Sequence, residues 1–137
     1  MNDLIIYTDG AYSPLRDQGG IGIVILYNNK KILEYSNKYN RTTNNQMEIG
    51  AVIIALRLIK KSYNSIVIYT DSQYVIGCAT LGWKRKKNIK LWQEFDNQYL
   101  RVKELCPNIT FTHVKGHNGN KWNEYVDNLA VKASLLI

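Results

Sequence analysis

The tripeptide Tyr-Thr-Asp occurs twice, at residues 7–9 and 69–71, each time closing a short apolar run, Leu4-Ile5-Ile6 and Ile66-Val67-Ile68. Runs of this length, rich in β-branched residues and stopped by Asp9-Gly10 or Asp71-Ser72, read as buried strands that end in turns. A helical pattern lies between them: from Asn45 to Lys61, Met47, Ala51, Ile54, Ala55 and Leu58 recur at helical spacing, and Thr43-x-x-Gln46 fits a capping box at the start. Helices that cross over between strands leave those strands parallel in one sheet. Both aspartates are then expected at the same carboxyl edge, where open α/β sheets place their ligands.

The remaining segments extend this frame. Gly20 to Tyr27 and Lys31 to Tyr39 are β-rich and separated by the turn signal Asn28-Asn29, so the first three strands make an antiparallel meander. Ser72 to Thr80 starts a helix capped by Asp71 or Ser72. Lys90 to Glu104 carries Leu91, Phe95 and Val102 on one helical face, Pro107 breaks it, and Asn108 to Val114 alternates as a strand. Gly116 to Asn120 is a polar loop, and Trp122, Val126, Leu129, Ala130 and Ala133 mark a closing helix. The expected fold is α/β, with a five-stranded mixed sheet, three strands antiparallel and then parallel ones, flanked by helices in the order βββαβα(α)βα. Its 137 residues suit a single domain, 1–137.

Composition narrows the function. The chain has 18 Lys and Arg against 11 Asp and Glu, a formal charge of +7, and its apolar content of 45% suits a packed fold rather than a disordered one. A basic balance suggests a polyanionic partner. The sequence has no apolar run near the ~18 residues of a membrane span, and Met1-Asn2-Asp3 does not begin a secretory leader. Cys78 and Cys106 lack metal-ligand or redox spacing and suit a reducing compartment. A cytoplasmic protein with no membrane association is therefore expected.

Four carboxylates stand apart from ordinary surface charge. Asp9 and Asp71 close the paired strands. Glu48 shares a helix face with Val52 and Ala55, which should be buried, and Asp127 lies one turn from Ala130 and Val131. Strand-end, cap and solvated-helix roles account for each of these acids singly. Gathered in one place they would repel one another and take up protons unless a cation sat among them. Oxygen ligands without Cys or paired His favour Mg²⁺ or Mn²⁺ over zinc. Magnesium ions commonly join carboxylates to phosphate oxygens, and two ions ~3.5–4 Å apart can clamp the attacking and leaving oxygens of a phosphoryl transfer.

Tyr-Thr-Asp9-Gly-Ala, Thr-Thr-Asn-Asn-Gln-Met-Glu48, Tyr-Thr-Asp71-Ser-Gln-Tyr-Val and Val-Lys-Gly-His117 followed by Asp127 resemble the type 1 ribonuclease H family, in order and over almost the whole chain. The resemblance implies an endonuclease that hydrolyses the RNA strand of an RNA–DNA hybrid, leaving 5′-phosphate and 3′-hydroxyl ends. It implies that Asp9, Glu48, Asp71 and Asp127 hold two Mg²⁺ ions, with Mn²⁺ as a substitute. It gives His117 a part in proton movement and product release, and makes Glu124 an accessory acid. Asn44, Asn45 and Gln73 match positions that contact the RNA 2′-hydroxyls, while Arg41 and Thr43 resemble part of a pocket for a DNA-strand phosphate. Trp83 is expected near that DNA contact. A monomer acting on a hybrid duplex is the expected working form.

The chain departs from the family pattern twice. Its first loop, Ala11 to Gln18, has no counterpart of the asparagine that contacts RNA in some members. Between Gly82 and Lys90 it is too short for the extra helix and basic loop by which many bacterial members grip the hybrid. Lys84, Arg85, Lys86 and Lys87 remain there as a compact cationic patch for phosphate. Gly20-Ile21-Gly22 is no dinucleotide loop, because Ile25 stands at the third glycine position and no helix follows. Two other readings, an idle hybrid-binding module and a DNA nuclease of the resolvase or integrase type, are disfavoured by the intact carboxylates and by the Asn-Asn-Gln-Met-Glu and Asp-Ser-Gln-Tyr motifs. If the four acids are set aside, 18 cations face 7 acids over the rest of the molecule.

Overall fold

A computed structural model describes residues 2–115 and 120–137. The elements run β1 (Asp3–Ser13), β2 (Gln18–Tyr27), β3 (Lys30–Asn40), α1 (Asn44–Arg57), β4 (Ser65–Thr70), α2 (Gln73–Thr80), α3 (Ile89–Leu105), β5 (Ile109–His113) and α4 (Lys121–Ser134). The sheet order is β3-β2-β1-β4-β5, antiparallel through the first three and parallel from β1 to β4 to β5. This is the mixed five-stranded sheet expected from the hydrophobic runs.

The repeated tripeptide turns out to be the strand register. β1 and β4 pair from Asp3 opposite Ser65 to Tyr7 opposite Tyr69, so the like residues of the two tripeptides are neighbours. The Tyr7 and Tyr69 rings stack at 4.7 Å, and the Thr8 hydroxyl donates to the Tyr69 carbonyl at 3.0 Å. Two residues further along stand Asp9, still in β1, and Asp71, just past the end of β4.

One sequence expectation needs correcting. Asp9-Gly10 is no turn: β1 continues to Ser13, paired with β2 as far as Ser13 opposite Gln18, and the reversal falls at 14–17. Asp-Gly is a turn signal only where the backbone is free to reverse, and here pairing with β2 holds the chain extended. Asp9 therefore sits inside a long strand, just past the point where its parallel pairing with β4 ends.

The alternation of β1 and β2 fills the two faces of the sheet differently. Leu4, Ile6, Ile21, Ile23 and Ile25 join Ile49, Val52, Ile53 and Leu56 of α1 and Trp92, Phe95 and Val102 of α3 in the main core. On the other face Val24 and Leu26 meet Val126 of α4, with Ile5, Tyr7 and Leu129 around them. Gly20 and Gly22 let α4 lie close on β2, since a Cβ on either would strike the backbone carbonyl of Ala130 or Val126. The buried Gln18 amide donates to the carbonyls of Ser134, at 2.8 Å, and Leu136, at 2.5 Å, which fastens the C-terminal end of α4.

Candidate active site

Local chemistry places each acid. The Thr43 side chain caps α1 by accepting from the Gln46 N–H at 3.1 Å, which leaves Glu48 in the second turn, its side chain free of capping. Glu48 instead reaches the sheet. Its Oε1 accepts the Gly10 N–H at 2.9 Å, and the same N–H is shared with Asp9 Oδ1, also at 2.9 Å. Gly10 allows this approach, because a Cβ there would lie 2.5 Å from the Glu48 nitrogen. Ser72, not Asp71, caps α2 by accepting from Val75 at 3.1 Å, so the Asp71 carboxylate is left for other use.

Carboxylate oxygens of Asp9, Glu48 and Asp71 all lie within 4.8 Å of one another. Asp127 faces Asp9 from α4, near enough to raise the Asp9 pKa further. Asp9 is 2% exposed and Glu48 7%. Among the described residues none of the four forms an ion pair. Burial, reinforced by the charges of Glu48 and Asp71 and the contact with Asp127, pushes the Asp9 carboxyl up to about 11. Burial and the Asp71 charge likewise push Glu48 up to about 8, against the opposing pull of the Gly10 N–H. Asp71 Oδ1 is buried with no hydrogen-bond partner. A buried, unpartnered carboxylate oxygen beside two acids forced towards protonation fits a hard divalent cation. The trio contains no thiolate or imidazole, so its donors suit Mg²⁺ or Mn²⁺.

A family profile described as RNase H matches residues 1–135. The chain belongs to the ribonuclease H family. A ribonuclease H from Trichodesmium erythraeum is 40% identical over 142 residues, covering 96% of this chain and 88% of that one. Another, from Rippkaea orientalis, is 37% identical over 147 residues, with 98% and 89% covered. Among solved structures, LC11-RNase H1 in complex with an RNA/DNA hybrid aligns at TM-score 0.74 and 27% identity, over 95% of each chain. The N-terminal RNase H domain of Rv2228c from Mycobacterium tuberculosis, a fusion with maltose-binding protein, shares the fold at TM-score 0.80, 22% identity, and coverage of 98% and 94%.

In this ribonuclease H the other expected site residues fall into several groups. Asn44 and Asn45 are exposed in the first turn of α1, and Gln73 is exposed at the start of α2, two residues from Asp71. Thr43, Asn44 and Asn45 line a surface groove with Lys87 and Asn88. Asn45 also borders an adjoining groove with Tyr74, Lys84 and Lys86. Arg41 opens elsewhere, on a groove with Tyr39, Gln46 and Leu91, and its N–H donates to the Asp17 carbonyl at 2.9 Å. Glu124 is exposed on α4. Trp83 is half exposed, with its ring seated on Gly77. His117 lies outside the described residues.

Arg85 differs from the three lysines around it. Its guanidinium donates to Asp96 at 2.7 Å and to the Cys78 carbonyl at 3.2 Å, and it stacks over Trp92 at 4.7 Å. Lys84, Lys86 and Lys87 are exposed. Two groove residues, Asn88 and Tyr74, escaped the sequence reading. Asn88 precedes α3 in a left-handed conformation, φ 59° and ψ 37°, and does not cap it. Its side chain instead accepts from Gln46 and donates to Tyr74, each at 3.3 Å. The bridge joins residues far apart in sequence, so no local signal marks it.

Proposed function

We propose that the protein hydrolyses the RNA strand of RNA–DNA hybrids as an endonuclease, with two divalent ions, Mg²⁺ for preference, giving 5′-phosphate and 3′-hydroxyl ends. The observation that carries this reading is the Asp71 carboxylate, which has one oxygen buried without a partner and which is gathered with Asp9 and Glu48 so that an oxygen of each lies within 4.8 Å of the others. Asp9, Glu48, Asp71 and Asp127 would hold the ions. When bound, the ions supply a water nucleophilic at neutral pH and positive charge for the departing 3′-oxygen.

The chain's own groups do the rest. The Gly10 N–H fixes one oxygen each of Asp9 and Glu48, so these carboxylates are oriented before substrate arrives. Asn44, Asn45 and Gln73 offer donors and acceptors to RNA 2′-hydroxyls beside the acids. Thr43, Asn88 and Lys87 offer a DNA-strand phosphate two polar side chains and a cation at a helix N-terminus whose first turn holds no acid. Arg41 adds charge from the neighbouring groove, and Trp83 an apolar contact. His117 would assist proton movement and product release, and Glu124 would have an accessory role. Lys84, Lys86 and Lys87 draw in the duplex by charge. Among the described residues no helix is long and apolar enough to cross a membrane. Two buried free thiols suit the reducing cytoplasm, where we place the enzyme as a monomer and a single domain.

Matched RNA–DNA, RNA–RNA and DNA–DNA duplexes, incubated with Mg²⁺, Mn²⁺ or EDTA, test this. Only the hybrid's RNA should be cut, only with metal, and Asp71→Asn should lower kcat by more than about 100-fold. Cleavage in EDTA, full activity of the variant, or equal cutting of all three duplexes would overturn it.

A further inference from the structure

The connection from α2 to α3, residues 81–88, has no regular secondary structure, yet it is tied to the body at three points. Trp83 donates its backbone N–H to the Gly77 carbonyl at 3.1 Å and lays its ring on Gly77. Arg85 turns inward, where Asp96 and the Cys78 carbonyl accept from it and the Trp92 ring lies beneath it, with Phe95 at 5.9 Å. Asn88 bridges Gln46 and Tyr74, whose hydroxyl also accepts the Trp92 indole N–H at 3.1 Å. Between and beside these ties stand Lys84, Lys86 and Lys87, bordering the grooves that contain Asn45 and Asn88.

We infer that Arg85 is a positioning residue, the inward cation that holds the short loop so that its three lysines face the hybrid. This rests on the reading that the loop lysines contact phosphate. A free loop of eight residues would give up conformational freedom each time it bound a duplex, whereas a tied loop has already lost it. Arg suits the task and Lys does not, because one planar group must stack on an indole while donating to a carboxylate and a carbonyl. Asp96 is the complementary half. Its carboxylate lies next to a cationic surface, where on charge alone it would weaken polyanion binding.

That opposition gives a test with a sign. Asp96→Asn removes a negative charge, so simple electrostatics predicts tighter hybrid binding and a lower KM. Positioning predicts a KM raised roughly 3–10-fold with kcat unchanged. Arg85→Lys, which keeps the charge, should raise KM by a similar factor and leave the salt dependence of KM unaltered. Replacing Lys84, Lys86 and Lys87 by Ala should both raise KM and flatten that dependence. Thermal midpoints measured alongside confirm that each variant is folded under assay conditions. A lower or unchanged KM for Asp96→Asn, or a flattened salt dependence for Arg85→Lys, overturns the inference while leaving the enzyme assignment standing. An unaltered KM and slope in the triple lysine variant removes the loop from the substrate path, and the inference with it.

Discussion

The two faces of the sheet each deliver an acid to the same place, and they are built in opposite ways. The α1 face holds a broad core, from Leu4 and Ile23 through Leu56 to Trp92 and Val102, and brings in Glu48. On the α4 face the fully buried cluster among the described residues is Val24, Leu26 and Val126, and this face brings in Asp127. One helix is held by the area it buries. The other is held by fit, with Gly20 and Gly22 under its backbone and Gln18 fastening its end. A site can thus draw ligands from a deep core and from a shallow one, provided that the shallow one has close backbone contact to fix its height above the sheet.

Gly10→Ala should break the comparison most severely. Its Cβ meets Met47 and Glu48 main chain, which cannot rotate away, so α1 must shift and the shared N–H is lost. Loss of more than about 3 kcal/mol of stability is expected, with activity falling beyond it; an active Gly10→Ala enzyme of normal thermal midpoint would show that Glu48 does not depend on this contact. Gly22→Ala should lift α4 and Asp127, with a smaller loss of ~1–3 kcal/mol and weaker Mg²⁺ binding by titration calorimetry, while Leu56→Ala should cost ~2–5 kcal/mol and leave Mg²⁺ affinity alone. If Leu56→Ala also weakens metal binding, the two faces are not separable in this way.

The mildest test uses pH. Without metal, Asp9 and Glu48 have pKa values raised to about 11 and about 8 from their ordinary 3.8 and 4.5. The native state then holds protons that the unfolded chain has released, so the contribution of these two groups to stability is fully present below about pH 4 and is lost as pH rises, through about 8 for Glu48 and further for Asp9. Mg²⁺ binds the native state and competes with those protons. The thermal midpoint in Mg²⁺ minus that in EDTA should therefore widen from pH 5 to pH 8, by a few degrees, and Glu48→Gln should reduce the widening. A constant difference would show that the acids are not forced together as described.

Much of this was legible in the sequence. Strand runs and helical spacings, read locally, carry the topology, and Glu48 betrayed itself as an acid on an apolar helix face. The extent of β1 was not legible, because Asp9-Gly10 has turn chemistry and only pairing with β2 overrides it. Nor was the division of labour in Lys84 to Lys87: a loop has no period, so nothing local separates the inward Arg85 from its outward neighbours until Trp92 and Asp96 arrive from α3. Asn88 meets Gln46 and Tyr74 only because α1, α2 and α3 converge.

The Tyr-Thr-Asp echo has a further consequence, for the dynamics of the sheet. Because the two tripeptides continue one register, the neighbouring strands β1 and β4 bring the carboxyl groups of Asp9 and Asp71 together just past the last residues that pair across their seam. The central seam of the protein is therefore also the place where ion loading and backbone opening are coupled. Amide hydrogens around Tyr69 to Asp71 should exchange with solvent faster in EDTA than in Mg²⁺, while those of Leu4 and Ile66, at the far end of the same seam, keep one rate in both.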